Sequence, residues 1–283
     1  MKYHNHKIMM FICATAFSVT ACSNSNSFSD PIDFETPSEA PNPIPTLGTA
    51  KTFTTTADGT YSLAEGEAKL FDGVSMAPTT IEIDKNKKFQ TIDGFGYAIT
   101  YSSCYNLMKM NPEARLALLK RIYSTTEGYG VSYARISLGC NDFSSTEYTY
   151  CDKKGSENDP ISNFELYSDE NNYVIPILKE ILSINPSLKI IAAPWTCPKW
   201  MKVADIDTKT PKDSWTDGHL NPDYRETYAK YFVKFIKVMK EKGINIYAVS
   251  PQNEPLNKAN CASLYMPWQE EAPFVKELAA QFK

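Results

Sequence analysis

What the 283-residue sequence withholds narrows the field first. It has no long run of Lys or Arg: 29 basic and 33 acidic residues are spread along the chain for a formal net charge of -4. The electrostatic footprint of a nucleic-acid binder is therefore missing, and no polynucleotide partner is expected. It has no CxxC pair and no Cys/His ligand spacing, which argues against a zinc site. No tandem repeat is evident, and the apolar run IMMFICATAFSV at residues 8–19 is too short to span a bilayer comfortably. What is present is a globular composition, 42% hydrophobic and 12% aromatic, in a length that suits one large domain or two smaller ones.

Lys2 and Lys7 precede that apolar run, and Thr20, Ala21 and Cys22 follow it. These are the charged, apolar and small-residue regions of an export signal over residues 1–22. VTAC also resembles the lipobox of bacterial lipoproteins, in which the cysteine becomes the lipidated first residue of the mature chain. Cys22 is then the lipidation site, and the protein is expected to be exported and lipid-anchored to a bacterial membrane, on the periplasmic face or the cell surface. An ordinary cleaved signal is the alternative. Residues 23–48 are rich in Ser, Asn and Pro and cannot bury enough surface to fold, which predicts a disordered tether. Beyond Cys13 and Cys22, the odd set Cys104, Cys140, Cys151, Cys197 and Cys261 does not make a complete disulfide framework. Cys140 could pair with Cys151, or the thiols could be small buried hydrophobes.

From residue 49 to about 88, alternating polar and apolar residues punctuated by ADG, AEG and FDG predict short antiparallel strands of a β segment; the same alternation runs on through TTIEIDKNKKFQTIDGF. From 89 to 283 the rhythm becomes strand, helix, strand, helix. NPEARLALLKRIYS opens a helix with Asn111 as N-cap and Pro112 at its first position; VSYARISL is a strand, YVIPILKEILSINP a helix and LKIIAAPW a strand. NPDYRETYAKYFVKFIKVMKEKG begins at Asn221 and Pro222, ends at Gly243, and places Tyr224, Tyr228, Tyr231, Phe232, Phe235, Ile236 and Met239 on one face, a core-packing stripe. Successive βα units require parallel strands with right-handed crossovers, so the fold class is α/β.

Functional groups in such sheets lie beyond the carboxyl ends of the strands. The first strand, around QTIDGFGYAIT, offers Asp93 to Gly96 there; the next three end in GCNDFSS, APWTCPKW and SPQNEP. Asp142, Trp195, Asn253 and Glu254 thus converge on one rim. That set suits a sugar: aromatic surface packs on the C–H faces of a pyranose, and polar side chains bind its hydroxyls. Breaking a glycosidic bond needs a proton for the leaving oxygen, for which Glu254 is the candidate, and a second carboxylate across the anomeric carbon. Asn253 is placed to hydrogen-bond the sugar 2-hydroxyl. Each residue alone also has a bland reading: Glu254 as a solvated loop charge between Pro251 and Pro255, Trp195 as core, Asp142 as a turn residue.

DGFGYAIT, ARISLGCNDFSSTEYTYCD, APWTCPKWMK and YAVSPQNEP together resemble glycoside hydrolase family 30, the glucosylceramidase and β-1,6-glucanase group, over nearly all of residues 50–283. The resemblance implies a TIM (β/α)8-type barrel with a small β side domain built from segments on either side of it. It implies a retaining β-glycoside hydrolase with Glu254 as general acid/base, Asn253 on the 2-hydroxyl, and Asp142 and Trp195 as sugar ligands. The family often has GFGGA followed by an acidic residue, where this chain has Tyr97 and then Tyr101. Only four strand–helix units lie between residue 90 and Lys283, and no residue matches the family's nucleophilic glutamate on a later strand. The expectation is therefore a barrel truncated after about four βα units, the front of a longer enzyme, weak or inactive alone. Its partners are a β-linked glucan or glucoside and, through the lipid anchor, a membrane; it needs no metal or organic cofactor, since paired carboxylates suffice. A membrane-tethered carbohydrate-binding protein without catalysis is the alternative, and another retaining barrel glycosidase with a strand-end Asn-Glu a third.

Overall fold

The computed structural model describes residues 46–71, 79, 81–259 and 262–283. Cys22, the leader, most of the tether and Cys261 lie outside the described residues. The chain divides between Lys88 and Phe89 into two units.

In the first unit β1 (Thr46–Thr54) pairs antiparallel with β2 (Ala64–Phe71) around a turn built on Asp58, whose carboxylate accepts from Thr56 and Thr60. β1 starts three residues inside the segment expected to be unfolded, because Thr46 finds a partner in Phe71. TTIEIDKNKKFQTIDGF differs from its alternating pattern: among the described residues 81–95 form no strand, and Ile81, Ile83 and Phe89 are exposed. Alternation predicts a strand only where a second edge exists to pair with it.

The second unit is a four-stranded parallel sheet in the order β3 (Gly96–Ala98), β4 (Tyr133–Ser137), β5 (Lys189–Ala193), β8 (Ile246–Val249). Gly96 is required where β3 meets β4, since a Cβ there would collide with the backbone of Tyr133. The helices are α1 (Tyr101–Lys109), α2 (Pro112–Tyr123), α3 (Ile175–Ile184, entered through a π-helical turn, Glu170–Val174), α4 (Arg225–Glu241) and α5 (Trp268–Gln281). β6 (Lys202–Val203) and β7 (His219–Leu220) form a small antiparallel pair in the β5–α4 connection.

Local chemistry explains these boundaries. Asn111 caps α2 by accepting from the Glu113 amide, with Pro112 at the first helical position. Asn221 likewise accepts from the Asp223 amide, but a 3-10 turn (Pro222–Tyr224) intervenes before α4, and Gly243 at φ +84° leaves the helix in the left-handed conformation. Tyr228, Tyr231, Phe232, Phe235 and Met239 of α4 are buried, and Phe274 of α5 stacks on Tyr228 at 5.1 Å. α2 and α3 are clamped by a two-pronged pair, Arg115 Nε and Nη2 each 2.8 Å from a Glu180 carboxylate oxygen. The sheet's alternation follows: Ala134 and Ile136 of β4 and Ile190 and Ala192 of β5 are buried in the core, while Tyr133, Arg135, Lys189 and Ile191 occupy the opposite, less covered face. Cys104, Cys140, Cys151 and Cys197 are all buried in the core cluster, the Cys140–Cys151 disulfide is not formed, and the cysteines fill space.

Candidate active site

The stretch after β8 is sewn to the stretch after β5. Ser250 N donates to Ala192 O at 2.9 Å, Asn253 N to Pro194 O at 2.8 Å, and the buried Gln252 donates from Nε2 to Trp195 O at 2.7 Å. The parallel ladder thus continues past the strands proper and fixes Asn253 and Trp195 relative to each other. Glu254 follows at φ +43°, a left-handed backbone that costs a non-glycine residue on the order of 1 kcal/mol. Two contacts hold it there: Asn257 N donates to Glu254 O, and Asn257 Nδ2 to the Glu254 carboxylate, both at 2.8 Å.

Arg135 binds the set together. It projects from the middle of β4 on the less covered face, donates from Nη2 to Asn253 Oδ1 at 2.7 Å, and lies over the Trp195 ring with its guanidinium carbon 4.8 Å from the centroid. Burial pulls its pKa below the ordinary guanidinium value, against the opposing pull of the Asp142 and Glu254 carboxylates, so both acids bear electrostatically on it. Asp142 sits on the loop after β4, which is shaped by its neighbour: buried Asn141 donates to Ser137 Oγ at 3.1 Å and accepts from Phe143 N at 2.7 Å.

All four residues expected at the rim are therefore grouped around one cation. Asn253 and Trp195 touch it; Asp142 and Glu254 are exposed carboxylates within its field. Trp195 is only 7% exposed, belongs to the core cluster and has the Arg135 guanidinium over its ring, so little of it is open for stacking. Asp93 does not join them. The strand it was read as terminating begins only at Gly96, so Asp93 lies before β3, where its carboxylate pairs with Lys189 Nζ at 2.6 Å and accepts from the Tyr133 hydroxyl. Those hydrogen bonds and the ammonium charge hold its carboxyl below the usual range. A concavity of about 350 Å3 opens on this face between Asp93, Tyr97, Tyr133, Arg135 and Ile191.

Sequence reasoning missed Arg135, Gln252 and Asn257. Arg135 left a signal: it is a lone cation inside the apolar strand YARIS, at a position whose neighbours Ala134 and Ile136 point into the core. Chemically, the arrangement offers two acceptor carboxylates, an oriented amide and an aromatic ring at the carboxyl end of a parallel sheet, the equipment of a polyhydroxylated ligand site. Among the described residues no group of His, Cys, Asp and Glu is placed to hold a metal ion.

The sequence model of the family described as "Glycosyl hydrolase family 30 TIM-barrel domain" matches residues 92–268. Similar proteins include the endo-1,6-beta-D-glucanase BGN16.3 of Trichoderma harzianum, 30% identical over 254 residues, 86% of this chain and 51% of that protein. The lysosomal acid glucosylceramidase of Mus musculus is 29% identical over 246 residues, 84% of this chain and 44% of that protein. Among solved structures, "The endo-beta1,6-glucanase BT3312" superposes with a TM-score of 0.72 at 54% identity, covering 84% of this chain and 50% of that one. The chain spans about half the length of the curated relatives it matches.

Proposed function

Because the chain belongs to glycosyl hydrolase family 30, we propose that its Arg135-centred site is the acid/base side of a retaining β-glycosidase acting on a β-1,6-linked glucan. Glu254 is the general acid that protonates the leaving glycosidic oxygen and the base that activates water in the second step. Asn253, its amide oxygen held by Arg135, presents its amide N–H groups to the sugar 2-hydroxyl, an interaction that strengthens as positive charge grows at the anomeric carbon. Asp142 accepts from hydroxyls of the same sugar, and Trp195 walls the pocket. The observation that carries this reading is the single guanidinium joined to Asn253 and Trp195 and pulled on by both Asp142 and Glu254. The β-1,6-glucan preference is supported by the 54% identity to an endo-β1,6-glucanase.

Retention requires a second carboxylate about 5 Å from the first, a role given to none of the residues assigned here. Its source is proposed to be a part of the enzyme outside these 283 residues, in keeping with a chain that spans about half of its relatives. That same point supports the second reading, a carbohydrate-binding protein without catalysis. Export and lipidation at Cys22 remain part of the proposal; they are checked by a radiolabelled fatty acid that enters the wild-type chain and not Cys22→Ser.

Calorimetric titration of the 283-residue chain with β-1,6-gluco-oligosaccharides, beside an aryl β-glucoside turnover assay, tests the assignment. Oligosaccharide binding is expected, weakened about tenfold or more by Arg135→Lys, since one hydrogen bond to a charged group is worth about 1.5–3 kcal/mol, with little turnover. Efficient turnover abolished by Glu254→Gln would show the second carboxylate to lie within this chain; binding that ignores Arg135→Lys would refute the site.

A further inference from the structure

Three tyrosines outside the Arg135 cluster meet on the adjoining stretch of the same rim. Tyr101 opens α1 just past the carboxyl end of β3, and Tyr105 follows one turn later, with ring centroids 5.8 Å apart. Tyr173 comes from the π-helical turn and meets both, edge-on to Tyr101 at 5.4 Å and tilted to Tyr105 at 5.3 Å. An aromatic pair spaced i, i+4 is ordinarily a core feature. Here Tyr101 and Tyr105 are only partly buried and lie outside the buried cluster, and only Tyr173 rests against it.

The trio is continuous with the proposed sugar site. The Ser102 hydroxyl donates to Phe143 O, and the Tyr101 hydroxyl has the Ser145 side chain as a hydrogen-bond partner. α1 is thereby fastened to the loop that carries Asp142, and Phe143, the next residue, is 60% exposed. The π-helical turn is a rare conformation concentrated at functional sites, and here it is the element that brings Tyr173 to α1. Lys109 places its ammonium 4.1 Å from the Tyr105 centroid, adding a hydrogen-bond donor at one border of the aromatic surface.

We propose that Tyr101, Tyr105 and Tyr173, extended by Phe143, form an accessory carbohydrate platform. It takes a pyranose of the β-linked glucan beyond the two units held at the Arg135 site, on the Asp142 side, and so rests on the reading of that site. Rings packed against one another are already ordered, so little conformational freedom is lost when a sugar's C–H face packs on them, while the phenol hydroxyls and Lys109 serve its equatorial hydroxyls.

The test is calorimetric titration of the 283-residue chain with a β-1,6-linked glucose disaccharide and hexasaccharide, for wild type, Tyr105→Ala, Tyr105→Phe, Tyr173→Ala and Phe143→Ser. The alanine variants are expected to bind the hexasaccharide about tenfold more weakly, the loss of one aromatic contact, with disaccharide affinity unchanged and Tyr105→Phe, which keeps the ring and loses one hydroxyl, between wild type and Tyr105→Ala. Phe143→Ser, at an exposed position, carries the same expectation if an alanine variant fails to fold by near-ultraviolet circular dichroism. Unchanged hexasaccharide affinity throughout overturns the platform and leaves the Arg135 site standing. Failure of the wild-type chain to bind either sugar overturns both.

Discussion

Glu170 shows what one titratable group weighs inside this chain. It is 4% exposed and accepts from the Tyr148 hydroxyl at 2.6 Å through one oxygen, while the other has no partner among the described residues. Burial pushes its carboxyl up to about 7. Between the unfolded value of 4.5 and that folded value the native state binds more protons than the unfolded one, so stability falls as pH rises through the window. Glu170→Gln keeps an acceptor for Tyr148 and removes the titration. Urea unfolding at about pH 5 and about pH 8 is expected to show wild type losing up to about 3 kcal/mol relative to the variant; parallel pH profiles would refute this. Glu170 drew no notice in the sequence, where it sits in the polar run SDENN; its burial is decided by the π-helical turn that points it at Tyr148. The placement of Asp142, Asn253 and Glu254 just past strand ends was legible from the strand pattern, whereas Arg135 was hidden by lying inside a strand.

At the level of elements, Lys202 in β6 joins two segments far apart in the chain. It is 1% exposed, and its ammonium donates to Ser214 O at 3.0 Å, Trp215 O at 3.2 Å and Ser263 O at 2.8 Å. One cation thus satisfies three carbonyls and pins the excursion between β6 and β7 to the approach to α5. Lys202→Met preserves the volume and strands the Ser214 and Ser263 carbonyls, while Trp215 O keeps its bond from the Ser263 amide, so a loss of about 3 kcal/mol is expected. Thermal unfolding measures it, together with new proteolytic cuts between residues 204 and 218; wild-type stability in the variant would show the carbonyls to be served otherwise. Elements with a cap, a stripe and a stop, such as α2 and α4, could be read from the sequence. α1 could not, because YSSCYNLMK is poor in helix formers and is held by the Thr100 cap and its packing. β6 and β7, two residues each, are products of tertiary contact and leave no periodicity to read.

For the whole molecule, the parallel sheet and its helices follow from the alternation of strand and helix signals, and the family fixes the barrel class. The order β3-β4-β5-β8 gives each outer strand one hydrogen-bonded neighbour among the described residues, and Tyr97 and Tyr247 are 47% and 58% exposed. Strand flanks with a partner on one side only carry backbone donors and acceptors that can pair with the flanks of another molecule. Self-association should therefore govern the handling of this polypeptide, with sedimentation coefficients that climb with protein concentration. Tyr247→Glu, which puts a carboxylate beside Lys189 where the ring now lies 4.8 Å from that ammonium, should return it toward the monomer, and a concentration-independent wild type would show that the flanks do not stick.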